Sequence, residues 1–296
     1  MTCAAFWKHT NIRPGNKVYP CCRFKYPIAD FNGDLEQVLH SKEYEDLRNT
    51  ITPIAGCEKC YQEEDLGHKS LRQEFNEKYD ADTVELKYLE IGLDNLCNLY
   101  CDGCNSEFST RFITRETSPK GYLETQLPSI PGTVDKILFL GGEPLITDKH
   151  LEVLKTAQPG IEIVYNTNGM FIPSSNLLKN FKVHFIVSID GYDTVNDDVR
   201  GGSKWQKILD FISWVKNTEY TWSVNTVLHK NNIHDMQNLA EFISKENCDW
   251  YVNILTYPEN LSIKHSHKQE LENLTKVNLP NAEYIKEYLN DILDKA

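Results

Sequence analysis

The chain has 296 residues, 40% of them hydrophobic and 25% charged, which suits a globular protein with one large domain and a smaller one. Its 43 acidic residues outnumber 31 basic ones for a net charge of −12, without the basic footprint that a phosphate backbone requires, so duplex nucleic acid is disfavoured as a partner. No run of about 18 apolar residues occurs, and the start Met1-Thr2-Cys3-Ala4-Ala5-Phe6-Trp7-Lys8 lacks the charged and apolar regions of a secretory signal. No membrane association and a cytoplasmic location are therefore expected.

Residues 1–80 are rich in turns and cysteine, with helices expected over Leu35–Arg48 and Ser70–Tyr79. Apolar residues are too sparse there for a self-sufficient core, so a metal site is a natural staple. Cys3, then the adjacent Cys21 and Cys22, then Cys57-Glu58-Lys59-Cys60 offer four thiolates, with Cys21 and Cys22 competing for one position. That set suits either zinc or a [4Fe–4S] cluster. The run Glu63-Glu64-Asp65 reads as a solvated charge run or as a helix N-terminus.

After residue 80 the pattern alternates. Strands are expected at Glu85–Leu93, Lys136–Leu140, Ile161–Tyr165, Val183–Ile189, Trp222–Leu228 and Trp250–Leu255. Helices are expected at Thr147–Ala157, Ser174–Phe181, Lys204–Lys216 and Asp235–Glu246, with a last one over Ala282–Leu293. Such alternation argues for parallel βαβ units of the α/β class, in an open doubly wound sheet or an incomplete barrel. Either way the active site forms at the C-terminal ends of the strands.

The strand ends carry the chemistry. Cys97-Asn98-Leu99-Tyr100-Cys101-Asp102-Gly103-Cys104 follows the first strand, and three thiolates at this spacing can fold over one face of a cubane. A zinc site would want a fourth ligand, and no His or Cys lies close in sequence to supply it. Three cysteines leave one iron of a [4Fe–4S] cluster open to a chelating ligand; three buried thiols, or zinc completed from afar, are the plainer alternatives. Gly141-Gly142-Glu143-Pro144 ends the second strand. Its glycines let backbone approach a ligand, and Glu143 can accept from an ammonium group. It also reads as a turn with Pro144 near the first position of a helix. Asn166-Thr167-Asn168-Gly169 and Ser188-Ile189-Asp190-Gly191 end the third and fourth strands and contain ordinary turn dipeptides. Arg200-Gly201 follows; a guanidinium fork suits a carboxylate. Asn225, on the fifth strand, can face the same cavity or solvent.

The CxxxCxxC loop after the first strand resembles the signature of the radical S-adenosylmethionine (SAM) superfamily. The resemblance implies a partial (β/α)6 TIM-like barrel over residues 81–296. It implies that Cys97, Cys101 and Cys104 hold a [4Fe–4S] cluster whose open iron binds SAM, and that cleavage yields a 5′-deoxyadenosyl radical that takes hydrogen from a substrate. In the family the segment matching Gly141, Gly142, Glu143 and Pro144 contacts the methionine amino group. Asn168, Ser188 and Asp190 fall in segments resembling the family's TNG and SIDG motifs; Ser188 reaches the ribose or carboxylate and Arg200 pairs with the carboxylate. The residue before the third cysteine, commonly aromatic and near the adenine, is Gly103 here; Tyr100 and Phe108 are the neighbouring aromatics. Residues 1–80 resemble a SPASM/twitch auxiliary-cluster domain, placed before the barrel rather than after it. That resemblance favours iron–sulfur on Cys3, Cys21, Cys57 and Cys60, with Cys21 preferred over Cys22 because it closes the spacing from Gly15.

The expected activity is hydrogen abstraction from a peptide, protein or small polar substrate, with the auxiliary cluster carrying electrons and a reductant such as flavodoxin or ferredoxin as partner. A metal-binding or electron-transfer protein without SAM chemistry is the alternative, but it has no use for the GGEP, SIDG and Arg200 set. No catalytic acid or base stands out. Cys248 reads as a small buried thiol, and His265-Ser266-His267 as a surface loop.

Overall fold

The computed structural model describes residues 3–293 apart from 52 and 281. The chain divides into two compact units, one of residues 1–96, 120–165 and 175–183, the other of 97–119, 166–174 and 184–296.

In the first unit, β1 (His9–Arg13) pairs antiparallel with β2 (Lys17–Tyr19) and parallel with β3 (Tyr88–Gly92). Parallel pairing continues from β3 to β4 (Lys136–Leu140) and from β4 to β5 (Glu162–Thr167, whose last two residues belong to the second unit). Leu89, Ile91, Ile137, Phe139 and Ile163 alternate onto one face and are fully buried, as expected of strands covered by helices. The other face carries Tyr88, Glu90 and Gly92 beside Lys136, Leu138 and Leu140. β1 has no apolar signature because His9, Thr10 and Asn11, like Lys8 just before them, are buried polar residues. Each needs a partner to offset lost hydration: the Lys8 ammonium, for instance, donates to Thr83 at 2.7 Å and pairs with Glu85 at 3.2 Å.

The helix expected over Leu35–Arg48 is two helices, Leu35–Leu39 and Lys42–Asn49, because Ser41 adopts an extended conformation and caps the second by accepting from the Tyr44 amide. The helix Leu71–Lys78 starts at a capping box in which Ser70 and Gln73 exchange hydrogen bonds. A further helix, Glu58–Asp65, begins at Cys57, so Glu63, Glu64 and Asp65 lie at its C-terminal end. Glu63 and Glu64 there pair with Arg23 and Arg72. The segment expected as a helix at Ser174–Phe181 is a 3-10 turn over Asn176–Asn180.

In the second unit, β6 (Lys182–Ser188, whose first two residues belong to the first unit), β7 (Thr221–Leu228) and β8 (Asp249–Ile254) run parallel in that order. The helices Trp205–Lys216 and Met236–Ile243 bury Ile208, Phe211, Val215, Met236 and Leu239, while Phe185, Val187 and Val224 fill the strand side. The opposite strand face presents His184, Ile186 and Ser188, then Ser223 and Asn225, then Tyr251 and Asn253, polar apart from Ile186. Parallel strands alternating with helices are the α/β class expected. Cys248 is half-buried just before β8, and His265 ends a short turn whose neighbour His267 caps the helix Lys268–Leu274. Among the described residues no helix is long and apolar enough to cross a membrane.

Candidate functional site

The cysteine loop opens the second unit. Tyr100 and Cys101 form a short antiparallel ladder with Gly201 and Arg200, and the Asp102 amide donates to Val199 O at 2.8 Å. This ladder brings the guanidinium of Arg200 beside the thiols of Cys101 and Cys97. Burial raises the Cys101 thiol, opposed by the charge of Arg200, and it pushes Cys104 up to about 11. Thiolates here therefore need a cation to compensate them. The Arg200 side chain is 11% exposed, and its Nη1 donates to Asp190 at 2.6 Å. Burial works against that charge, yet Cys101 and Asp190 more than offset it and raise the Arg200 pKa. Its Nε is buried with no hydrogen-bond partner among the described residues, a donor left for an acceptor the chain does not provide. Three thiols beside one orphaned guanidinium donor fit a cluster with a carboxylate ligand next to it.

The other strand-end residues of this unit are tied to that arrangement in different ways. Asp190 uses both carboxylate oxygens, accepting from Arg200 and from the Val227 amide at 2.7 Å. It is a clamp between the loop and β7. Asn168 is buried and donates at 2.9 Å to Asn98, within the cysteine loop. Asn98 has no motif to announce it; it also reaches Met170 Sδ at 3.3 Å. Ser188 donates to Asn166 at 3.4 Å, and Asn225 accepts from Asn253 at 2.7 Å on the polar strand face. At Gly103, φ is +77°, and the point where a Cβ would stand is 2.9 Å from Leu255 Cδ1. Tyr100 is stacked by the Arg115 guanidinium at 3.8 Å and lies over Gly201.

In the first unit, the Gly-Gly turn after β4 is built against the residues that lead to Cys97. The Gly142 amide donates to Asp94 O at 2.9 Å and the Glu143 amide to Leu96 O at 2.8 Å. Gly141 has φ +110°, and a Cβ on Gly142 would stand 2.2 Å from Leu96 O, so both positions require glycine. Glu143 is 3% exposed and accepts from the Leu145 amide at 3.0 Å. Pro144 is buried in the turn, and the helix begins only at Lys149.

The N-terminal cysteines lie in the same unit. Cys3, Cys21, Cys57 and Cys60 line one cavity together with Arg23, Lys59 and Arg72. Burial raises Cys3 to about 11, Cys57 to about 12, and Cys21 well above the usual thiol value. Four thiols with three cations around them fit a cluster that is anionic once ligated. Among the described residues no three His, Cys, Asp or Glu side chains converge on a single-ion site; a cubane takes one thiolate per iron and does not require such convergence.

Cys22 is not part of this cavity. It is exposed, and desolvation of its thiol, followed by the charge of Glu90, raises its pKa. Glu90, 4% exposed, lies beside Asn11 in the strand register and accepts from the Asn11 amide nitrogen and the Tyr88 hydroxyl. Its own burial works to raise the carboxyl, but the charge of His9 and these hydrogen bonds outweigh it and hold the pKa below the usual carboxylate value. One acidic residue inside the apolar run Tyr88-Leu89-Glu90-Ile91 was the sequence signal for this cluster.

Comparisons with known proteins agree with the sequence reading. The Radical SAM superfamily matches residues 94–243, and an iron–sulfur cluster-binding domain, SPASM, matches residues 3–61. An S-adenosylmethionine-dependent nucleotide dehydratase of Lacinutrix mariniflava is 32% identical over 165 residues, 50% of this chain and 34% of that one. A GTP 3′,8-cyclase of Pelotomaculum thermopropionicum is 34% identical over 128 residues, 40% of this chain and 39% of that one. The chain thus spans little more than a third of the length of these relatives. Native anSMEcpe with bound AdoMet is a solved structure with a TM-score of 0.47 and 18% identity, covering 70% of this chain and 62% of that one. The family match covers half of the chain, so this protein belongs to the radical SAM superfamily: an enzyme with the partial-barrel α/β fold, using a [4Fe–4S] cluster and SAM, and carrying its SPASM auxiliary-cluster domain at the N-terminus.

Proposed function

We propose that this enzyme abstracts a hydrogen atom from a polar, weakly charged substrate, and that Cys97, Cys101 and Cys104 hold the cluster that binds SAM. The observation that carries the reading is the orphaned Nε of Arg200 beside the thiols of Cys101 and Cys97, a donor suited to the carboxylate of an amino-acid moiety. When bound, the cluster and SAM supply a 5′-deoxyadenosyl radical by one-electron cleavage. The chain's own residues position that chemistry. Arg200 holds the carboxylate and Asp190 fixes Arg200. The backbone of Gly141, Gly142, Glu143 and Pro144 approaches the methionine amino group, with the Glu143 carboxylate as its acceptor. Asn168, Ser188 and Asn225 contribute polar groups at the strand ends.

Residues 1–80 form the auxiliary module, in which Cys3, Cys21, Cys57 and Cys60 hold a second [4Fe–4S] cluster for electron transfer; residues 81–296 form the catalytic domain. The reductant is a small electron carrier such as flavodoxin or ferredoxin. The named relatives act on nucleotides. Here the strand face of the second unit carries Ser188, Asn225 and Asn253 beside Ile186, and the one lysine facing Tyr88 in the register of the first unit, Lys136, is paired with Glu162 at 2.8 Å. Such faces suit a small polar molecule or peptide better than a polyphosphate, whose charge would call for free cations.

Two variants test the assignment. Reconstituted anaerobically, Cys101→Ala should lose about half of its iron, since each cubane holds four, and should make no 5′-deoxyadenosine from SAM and dithionite. Cys60→Ala should lose a similar share of iron yet retain SAM cleavage. Retained cleavage in Cys101→Ala would refute the assignment.

A further inference from the structure

The second unit contains three arginines, and the fold gathers all of them at the cysteine loop. Arg200 is buried against Asp190. Arg111 and Arg115 are exposed, and their guanidinium groups stand 6.0 and 3.8 Å from the centre of the Tyr100 ring. Neither side chain makes an ion pair or a hydrogen bond among the described residues. Two carboxylates of the same segment are engaged elsewhere: Asp102 accepts from Asn231 at 2.7 Å, and Glu116 accepts from the Ser106 amide at 2.8 Å. Stacking on Tyr100 thus holds cationic charge in place without neutralising it.

The segment that carries these cations is tied directly to the cysteine loop. Ser109 Oγ donates to Leu99 O at 2.5 Å, and Thr110 Oγ1 donates to Cys97 O at 3.4 Å. Tyr100 precedes Cys101 and pairs with Gly201 in the short ladder. Phe108, Phe112 and Ile113 of the same segment are half-buried. The outside of the cysteine loop is therefore part cationic and part apolar. The chain as a whole carries −12. An acidic partner is repelled by that net charge, and its approach is decided by local charges within a Debye length of about 8–10 Å. Arg and Tyr are also the residue types that anchor protein interfaces. Both arginines lie on the exposed side of a loop rather than on the strand faces described above, which suits a macromolecule better than a small ligand.

We propose that Arg111 and Arg115, with Tyr100 between the cysteines and the charges, form the docking surface for the one-electron carrier of this enzyme, a protein with an acidic face around its redox centre. The inference rests on the radical SAM reading above, in which each SAM cleavage consumes a single electron. The carrier loses that electron and departs in its one-electron-oxidised form. Redox encounter complexes are small, below about 1,200 Å² of buried surface, so a pair of cations beside apolar side chains is enough to steer and orient one.

The test measures docking apart from turnover. Binding of an acidic flavodoxin to the reconstituted holoenzyme is followed by calorimetry at rising salt concentration. Formation of 5′-deoxyadenosine is measured alongside, driven either by the reduced flavodoxin or by dithionite. In the double variant Arg111→Glu/Arg115→Glu, flavodoxin affinity at low salt should fall by about tenfold or more, and the gap from wild type should close as salt rises. Flavodoxin-driven cleavage should show a raised KM for flavodoxin, while dithionite-driven cleavage stays at the wild-type rate. Arg111→Lys/Arg115→Lys, which keeps the charge, should bind flavodoxin nearly as the wild type does. No binding of flavodoxin to the wild type at low salt, or equal affinity and equal flavodoxin-driven rate in the glutamate variant, would overturn the proposal while leaving the radical SAM function intact. An equal loss of dithionite-driven cleavage would overturn it too, because the arginines would then serve the site itself and not the carrier. Absence of 5′-deoxyadenosine from the wild type with dithionite would instead overturn the function, and the proposal with it.

Discussion

Replacing Gly142 by alanine probes the joint between the Gly-Gly turn and the residues that lead into the cysteine loop. The added Cβ would stand 2.2 Å from Leu96 O and 2.7 Å from Asn95 C, both backbone atoms. An ordinary carbon–oxygen contact is about 3.3 Å or longer, so the two segments must part by roughly 1 Å. That movement breaks the bonds from Gly142 N to Asp94 O and from Glu143 N to Leu96 O. Two net backbone hydrogen bonds at roughly 1 kcal/mol each, plus about 1 kcal/mol of residual overpacking, give a loss near 3 kcal/mol. At roughly 2–4 °C per kcal/mol for a domain of this size, the melting temperature should fall by about 6–12 °C. Because Leu96 immediately precedes Cys97, SAM affinity should weaken as well, read by equilibrium binding to the reconstituted enzyme. A Gly142→Ala enzyme with unchanged melting temperature and unchanged SAM affinity would refute the close approach and leave the segment as a plain turn.

Other changes separate stability from chemistry. His150 is buried against the Tyr165 hydroxyl at 2.7 Å, and burial lowers its pKa from 6.5 to about 4. Its neutral form is favoured in the folded state, so its contribution is complete above pH 6.5 and is lost as pH falls toward 4, amounting to about 3 kcal/mol; His150→Gln should flatten that part of the stability-versus-pH curve measured by urea unfolding. Asp190→Ala leaves the Arg200 guanidinium buried without its carboxylate and should cost about 3–5 kcal/mol, seen as a lower urea midpoint, with Asp190→Asn costing less. Ser70→Ala removes a capping box and should cost about 1 kcal/mol, again read from the urea midpoint, without changing SAM cleavage.

The catalytic half of the chain was the more legible. Lys136–Leu140 is a strand at the residues expected, and the other five strands lie within about three residues of theirs, because their alternating apolar residues face a helix-covered side. The motif residues sit at strand ends, where the topology puts ligands. Three things were hidden. β1 was missed because His9, Thr10 and Asn11 are buried as polar residues with partners far away in sequence, which periodicity cannot reveal. The break at Ser41 depends on a capping geometry that competes with a continuous helical pattern. Asn98 and the Glu90 cluster depend on contacts with residues some 70 to 80 positions away. Cys22 could be told from Cys21 only by the direction each side chain takes after β2.

The central claim is that one iron is left open to an amino-acid moiety beside Arg200. It is tested most directly by magnetic resonance on the reduced enzyme with SAM labelled by nitrogen-15 at the amino group and oxygen-17 at the carboxylate. Hyperfine coupling of both labels to the cluster is the predicted result, lost in Cys101→Ala. A reduced cluster whose spectrum is the same with and without labelled SAM would contradict the account.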